Sequence, residues 1–81
     1  MNYAKKIIYQ SNYWYNDGLK KAKVRDMSGA IISLKRSLQY NRENIAARNL
    51  LGLVYYGIGE VSEALVEWLI SKHFRPRDKI A

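Results

Sequence analysis

The stretch Leu50–Leu69, LLGLVYYGIGEVSEALVEWL, decides the fold of this 81-residue chain. Its apolar residues recur every three or four positions, which is the spacing of one face of an α-helix. The pattern stops at Gly57–Glu60 and then resumes. Glycine often ends a helix because it adopts left-handed backbone conformations at little cost, and an acidic residue suits the positive start of the next helix. The stretch therefore predicts two helices joined by a tight turn.

The same arrangement occurs 34 residues earlier in the chain. Apolar residues between Trp14 and Ala22 predict one helix, those between Ala30 and Leu38 predict another, and Arg25–Gly29 reads as the turn between them. A shift of 34 residues aligns 11–44 with 45–78 without a gap. Identical residues then coincide at five pairs of positions, which are Gly18 and Gly52, Leu19 and Leu53, Ser28 and Ser62, Ala30 and Ala64, and Ser37 and Ser71.

This internal repeat predicts the fold class and the organisation of the chain. We expect an all-α fold, an α-α superhelix of two stacked helix–turn–helix repeats, because one such unit cannot bury its apolar face alone. The first repeat is expected at 11–44 and the second at 45–78. Residues 1–10 are expected to form an N-terminal helical extension, and 79–81 the start of a truncated third unit or a tail.

Composition restricts the functions that this chain can have. Because there is no cysteine, disulfides, thiolate metal sites and cysteine nucleophiles are excluded. The single histidine, His73, cannot form a metal site without several carboxylates, and no catalytic motif surrounds any serine. No apolar run approaches the roughly 20 residues of a membrane-spanning helix, and no signal core follows the N-terminus. We therefore expect a cytoplasmic protein with no membrane span, no metal, no cofactor and no enzymatic activity.

The second unit resembles the tetratricopeptide repeat, a 34-residue helix–turn–helix unit with the pattern W-x-x-L-G-x-x-Y, then A-x-x-x-F, then P. It contains Leu51-Gly52-x-x-Tyr55, then Ala64-x-x-x-Trp68, then Pro76, with Arg48 in place of the leading tryptophan. The first unit has Trp14-x-x-Asp17-Gly18 and Ala30-x-x-x-Leu34, and it departs from the pattern at Asp17, Lys21 and Arg42.

Glycine and alanine have a physical role in this pattern. We expect Gly18 to face Ala30, and Gly52 to face Ala64, where the two helices of each unit cross closely. A larger residue at either glycine is expected to cost about 1–3 kcal/mol through overpacking.

The resemblance implies a function in protein binding. In this family the first helices of successive units line a concave groove that holds a peptide or a partner helix, and such modules are often part of larger scaffold proteins. The family's carboxylate clamp is not expected, because Tyr15, Leu19 and Leu50 occupy the matching positions. By family position, the groove residues are Asn12, Tyr15, Asn16, Leu19, Lys23, Asn49, Leu53 and Tyr56, with Ala46, Leu50 and Gly57 beside them.

Two alternatives involve other partners. Exposed apolar helix faces would allow self-association, because the last helix carries apolar residues on more than one side. The net charge of +7, concentrated in the first half, would allow contacts with nucleic-acid phosphates. We do not expect nucleic-acid binding, since the basic residues are spread over several helix faces and no nucleic-acid-reading motif accompanies them.

Overall fold

The computed structural model describes residues 2–74, and within that range the protein is all-α, as predicted. It has four helices and no strand: α1 at Tyr3–Lys23, α2 at Met27–Tyr40, α3 at Ile45–Gly57 and α4 at Val61–His73. The expected helix-ending Pro76 and the expected third unit at 79–81 lie outside the described residues. The repeat boundaries at 11–44 and 45–78 stay predictions.

The helices pack as two hairpins stacked side by side in an α-α superhelix. α1 packs on α2, and α3 packs on α4. The hairpins are joined mainly by α2 against α3, with a smaller contact between α1 and α3. In the described part of the chain α4 contacts α3 alone, so one side of α4 lacks the cover that α3 gives to α2.

The two tight turns close α1 and α3 with the same hydrogen bonds at the same spacing. At each turn, a residue in the left-handed region lets two N–H groups reach back to the last turn of the helix, as in a Schellman motif. That residue is Arg25 with φ 67° at the first turn and Gly59 with φ 87° at the second. The backbone bonds run from Asp26 to Lys21 (2.8 Å), Arg25 to Ala22 (3.0 Å), Glu60 to Tyr55 (2.8 Å) and Gly59 to Tyr56 (3.1 Å).

Side-chain caps start three of the four helices. A side-chain oxygen of Asn2, Asp26 and Asn44 accepts a hydrogen bond from a backbone N–H three residues on, which satisfies a group that the helix leaves free. Glu60 precedes α4 without such a bond, although its charge and that of Glu63 suit the positive helix end.

The core forms around the residues that the repeat pattern singled out. Ala30 and Ala64 are completely buried, and Tyr55 and Trp68 pack with them. The remaining fully or almost fully buried apolar residues are Leu34, Ala47, Leu51 and Val54.

Gly18 lies against Ala30 as expected, but the side chain nearest to each glycine is a larger residue than the alanine. A Cβ built on Gly18 would lie 2.7 Å from Leu34 Cγ, and one on Gly52 would lie 2.7 Å from Trp68 Cδ1. The side chain opposite each glycine is therefore the large residue one turn beyond the alanine. Ala30 contributes its carbonyl oxygen, 3.4 Å from the position of a Cβ on Gly18.

Gly52→Val tests this close approach. The added side chain must displace the Trp68 ring, so we expect the free energy of unfolding to fall by about 2 kcal/mol in urea titrations. Gly57→Val is the matched control, because a Cβ at this helical position meets nothing within 4 Å. It should change stability by less than about 0.5 kcal/mol, and equal losses for both variants would contradict the role of the contact.

Arg25 and Gly59, the two residues with a left-handed backbone conformation, allow a second test in which two substitutions should have opposite effects on stability. A non-glycine residue in this region costs about 1–2 kcal/mol, so Arg25→Gly should stabilise the protein. The gain should be smaller than this cost, because glycine also raises the conformational entropy of the unfolded chain. Gly59→Ala should destabilise it by about 1 kcal/mol. Thermal unfolding followed by circular dichroism measures both, and a stabilised Gly59→Ala variant would contradict the assignment of this turn.

Candidate protein-binding surface

The predicted binding residues lie on two helices that contact each other. One set is on α1 and the other on α3, and the 34-residue offset places the sets on equivalent faces of their helices. We call these residues the α1–α3 surface. Its members are Asn12, Tyr15, Asn16, Leu19 and Lys23 on α1, and Asn49, Leu53 and Tyr56 on α3.

The α3 half of this surface is apolar and open to solvent. Leu53 is 58% exposed and Tyr56 is 57% exposed, and Asn49 lies exposed one turn before Leu53. Leucine with more than half of its area exposed is not part of the core. Of the flanking positions, Ala46 and Gly57 are also exposed, whereas Leu50 packs against the core.

The α1 half is more polar. Asn12, Asn16 and Lys23 are exposed, whereas Leu19 and Tyr15 are partly buried. Tyr15 packs against the hydrophobic core and so serves the fold as well as the surface. The arrangement offers apolar contact from α3 beside hydrogen-bonding groups from α1.

A buried polar network fixes α1 against the rest of the stack. Ser11 Oγ donates to the Ser37 carbonyl (2.9 Å), and Ser37 Oγ donates to the Ser11 carbonyl (2.6 Å). Asn44 Nδ2 then donates to Ser11 Oγ (2.9 Å) and to Asn12 Oδ1 (3.2 Å). Because Asn44 also caps α3, the network holds Asn12 in a set position relative to the start of α3.

The sequence pattern did not predict this network, although one signal was present. Ser11 and Ser37 are polar, yet they fall on the helix faces that the apolar spacing turns inward. Their burial is tolerated because each hydroxyl is hydrogen-bonded.

Contacts from α4 brace the other end of the surface. The Tyr56 ring lies 6.0 Å from the Trp68 ring, centroid to centroid. Trp68 Nε1 donates to the carbonyl oxygen of Asn49 at 3.4 Å. One side chain therefore supports two of the predicted binding residues and also fills the space above Gly52.

Two ion pairs replace aromatic and apolar residues of the repeat pattern. In the first unit, Asp17 Oδ2 lies 2.7 Å from Lys21 Nζ and accepts a hydrogen bond from Ser33 Oγ at 2.6 Å. Hydrogen bonds from Lys21 and then from Ser33 lower the pKa of the Asp17 carboxyl below its usual value.

In the second unit, the pattern's leading tryptophan is replaced by a largely buried ion pair. Arg48 Nη1 donates to Glu67 Oε1 at 2.9 Å, and Arg48 Nη2 donates to the Arg42 carbonyl at 2.8 Å. This pair links α3 to α4 and fixes the connection between the hairpins. Arg48 thus joins α3 to α4 at the position where the repeat pattern has a packed tryptophan ring.

The described residues include no metal site and no candidate membrane span. Among residues 2–74, no three histidine, aspartate or glutamate side chains cluster in a way that could hold an ion. None of the four described helices is both long enough and apolar enough to cross a bilayer.

Comparison with known proteins gives a local similarity. Over 42 residues, 52% of this chain, the sequence is 45% identical to the BBSome complex member bbs-4 of Caenorhabditis elegans. The matched stretch is 9% of that protein, so the chain corresponds to a small part of its relative. No family model matches the chain, and no solved structure matches it.

The Asp17 contacts predict a pH dependence of stability. Because the folded pKa lies below the unfolded value of about 3.9, the contribution of Asp17 is complete above that value and is lost as pH falls through the folded pKa. Asp17→Asn should therefore be less stable than the parent chain at pH 7, and the difference should shrink between pH 4 and pH 2. Urea unfolding at each pH measures this, and a constant difference would contradict it.

Proposed function

We propose that the two hairpins are tetratricopeptide repeats and that the chain is a protein–protein interaction module, part of a larger scaffold. It presents the α1–α3 surface to a peptide or a partner helix. The observation that carries this proposal is the exposure of Leu53 and Tyr56, two large apolar side chains, beside Asn49. Contiguous exposed apolar patches rimmed by polar residues often mark protein-binding sites.

The repeat assignment is supported by features that recur at 34 residues. The helix-closing hydrogen bonds at Arg25 and Gly59 recur at this spacing, as do the contacts of Leu34 and Trp68 with their glycines. The similarity to a subunit named as a member of a multiprotein complex supports protein partners for this chain.

The mechanism is presentation of a rigid surface. Leu53 and Tyr56 supply apolar area, and Tyr56 loses little freedom on binding because the Trp68 ring already restrains it. The amides of Asn12, Asn16 and Asn49 can each donate to and accept from a peptide backbone. We propose a non-enzymatic role in the cytoplasm.

Self-association is a second candidate function, and α4 favours it. Leu65 and Leu69 are 52% and 66% exposed, and in the described part of the chain α4 has α3 as its sole neighbour. An apolar helix face of this kind is normally buried against another protein surface.

Peptide selection followed by titration tests the proposed binding surface. Peptides selected from a random library on the purified chain are labelled and their dissociation constants measured by fluorescence anisotropy. We expect Tyr56→Ala and Leu53→Ser each to raise the dissociation constant about tenfold or more, because central aromatic and apolar contacts carry most of the binding energy.

Ile32→Ser is the matched control for this titration. Ile32 is 61% exposed on α2, outside the α1–α3 surface, and its replacement should leave binding unchanged. Selected peptides that bind the Leu53 and Tyr56 variants as tightly as the parent chain would place the binding site elsewhere and contradict the proposal.

A further inference from the structure

The outer face of α4 is more apolar than the equivalent face of α2, where Ile31 and Ile32 match Leu65 and Val66 but the next exposed positions are charged. Leu69 occupies the position that Lys35 has in the first unit, and Ile70 that of Arg36. The fold therefore does not require an apolar residue at position 69 or 70. Val66, 49% exposed, extends the face between Leu65 and Leu69. We call Leu65, Val66 and Leu69 the α4 ridge.

A second unpartnered surface lies at the opposite end of the stack, between α1 and α2. Two adjoining cavities of 260 and 280 Å³ share Tyr40 as a wall. The Arg36 guanidinium lies 4.7 Å from the centre of the Trp14 ring, which holds this cation in place at the groove. We call this the α1–α2 groove, and its main aromatic, apolar and cationic walls are Tyr3, Lys6, Ile7, Trp14, Arg36 and Tyr40.

The charges of the two surfaces are complementary. Of the described residues that line the α1–α2 groove, two are cations and none is acidic. Glu60 and Glu63 are exposed at the N-terminal end of α4, with Lys72 and His73 at its other end. Residues 1–44 have nine Lys and Arg against three Asp and Glu, whereas residues 45–81 have five against four. The two halves of the chain therefore carry formal charges of +6 and +1, and the complementarity is local, between Glu60 and Glu63 of α4 and the cations of the groove.

From this complementarity we infer that the α4 ridge of one copy of this chain docks in the α1–α2 groove of a second copy. The inference rests on self-association, the second candidate function, and names the two surfaces that meet. The apolar ridge covers the aromatic walls of the groove, and the acidic end of α4 approaches Lys6 and Arg36. A pairing of α4 with α4 would leave the basic groove empty and would give Glu60 and Glu63 no partner among its cations.

Contact between two different surfaces has a consequence for assembly. Each docked copy still offers a free ridge at one end and a free groove at the other. Such head-to-tail contacts build rings or open chains rather than closed dimers. Raised salt should weaken them because part of the attraction lies between exposed charges.

Sedimentation velocity with two complementary variants tests the inference. Val66→Gln/Leu69→Gln disables the ridge and keeps the groove, whereas Arg36→Glu disables the groove and keeps the ridge. We expect the parent chain to exceed twice its 9.5 kDa monomer mass as concentration rises. Each variant alone should stay monomeric, and their equimolar mixture should stop at the dimer, because one intact ridge and one intact groove remain.

Matched controls separate the interface from general effects. Lys35→Glu makes the same charge change as Arg36→Glu outside the groove, on the side of α2 where Lys35 lies over the Tyr55 ring of α3, and Ile32→Gln removes an exposed apolar side chain from α2. Both should associate like the parent chain. Tyr3→Ala, at a ring that is 79% exposed, is a second groove variant that leaves the core untouched, and it should weaken association about tenfold.

The outcomes distinguish the inference from self-association itself. If Arg36→Glu and Tyr3→Ala associate like the parent chain while the ridge variant is monomeric, the ridge pairs with something other than the groove and the inference fails. In that case self-association stands. A parent chain that stays monomeric at every concentration would overturn both.

Discussion

The close approach of the two helices at one glycine in each hairpin is the constraint on which the rest of the structure depends. Leu34 lies over Gly18, and Trp68 lies over Gly52. Because the large side chain occupies the space where a Cβ would be, the helices cross at short distance and Ala30 and Ala64 become completely buried. Each hairpin then has one apolar face left, and stacking covers that face between α2 and α3.

The same contact links the fold to the candidate binding surface. Trp68 fills the space above Gly52, lies against Tyr56 and donates to the carbonyl of Asn49. At the other end, the network of Ser11, Ser37 and Asn44 sets α1 against the start of α3. The exposed residues of the surface are therefore held by buried neighbours, which favours recognition without a large ordering cost.

The two units share a backbone plan and differ in chemistry. The first places Asp17 and Lys21 where the second places Leu51 and Tyr55, and it has Lys35 where the second has Leu69. These charged residues make the first hairpin polar, whereas the second hairpin exposes apolar side chains on α4. This asymmetry gives one chain two unlike surfaces.

The sequence by itself determined the helices, the turns and the all-α class, because a 34-residue period and helical spacing are local properties that backbone geometry follows. Only the tertiary structure decided that Leu34 and Trp68, rather than the alanines, lie opposite the glycines. That choice depends on how the two helices cross, and spacing within one helix does not contain this angle. The tertiary structure also decided that Leu53 is exposed while Leu51 is buried, because burial depends on which neighbouring helix covers each face of α3. The buried serine network was hidden for the same reason, because its partners are 26 and 33 residues apart in the chain.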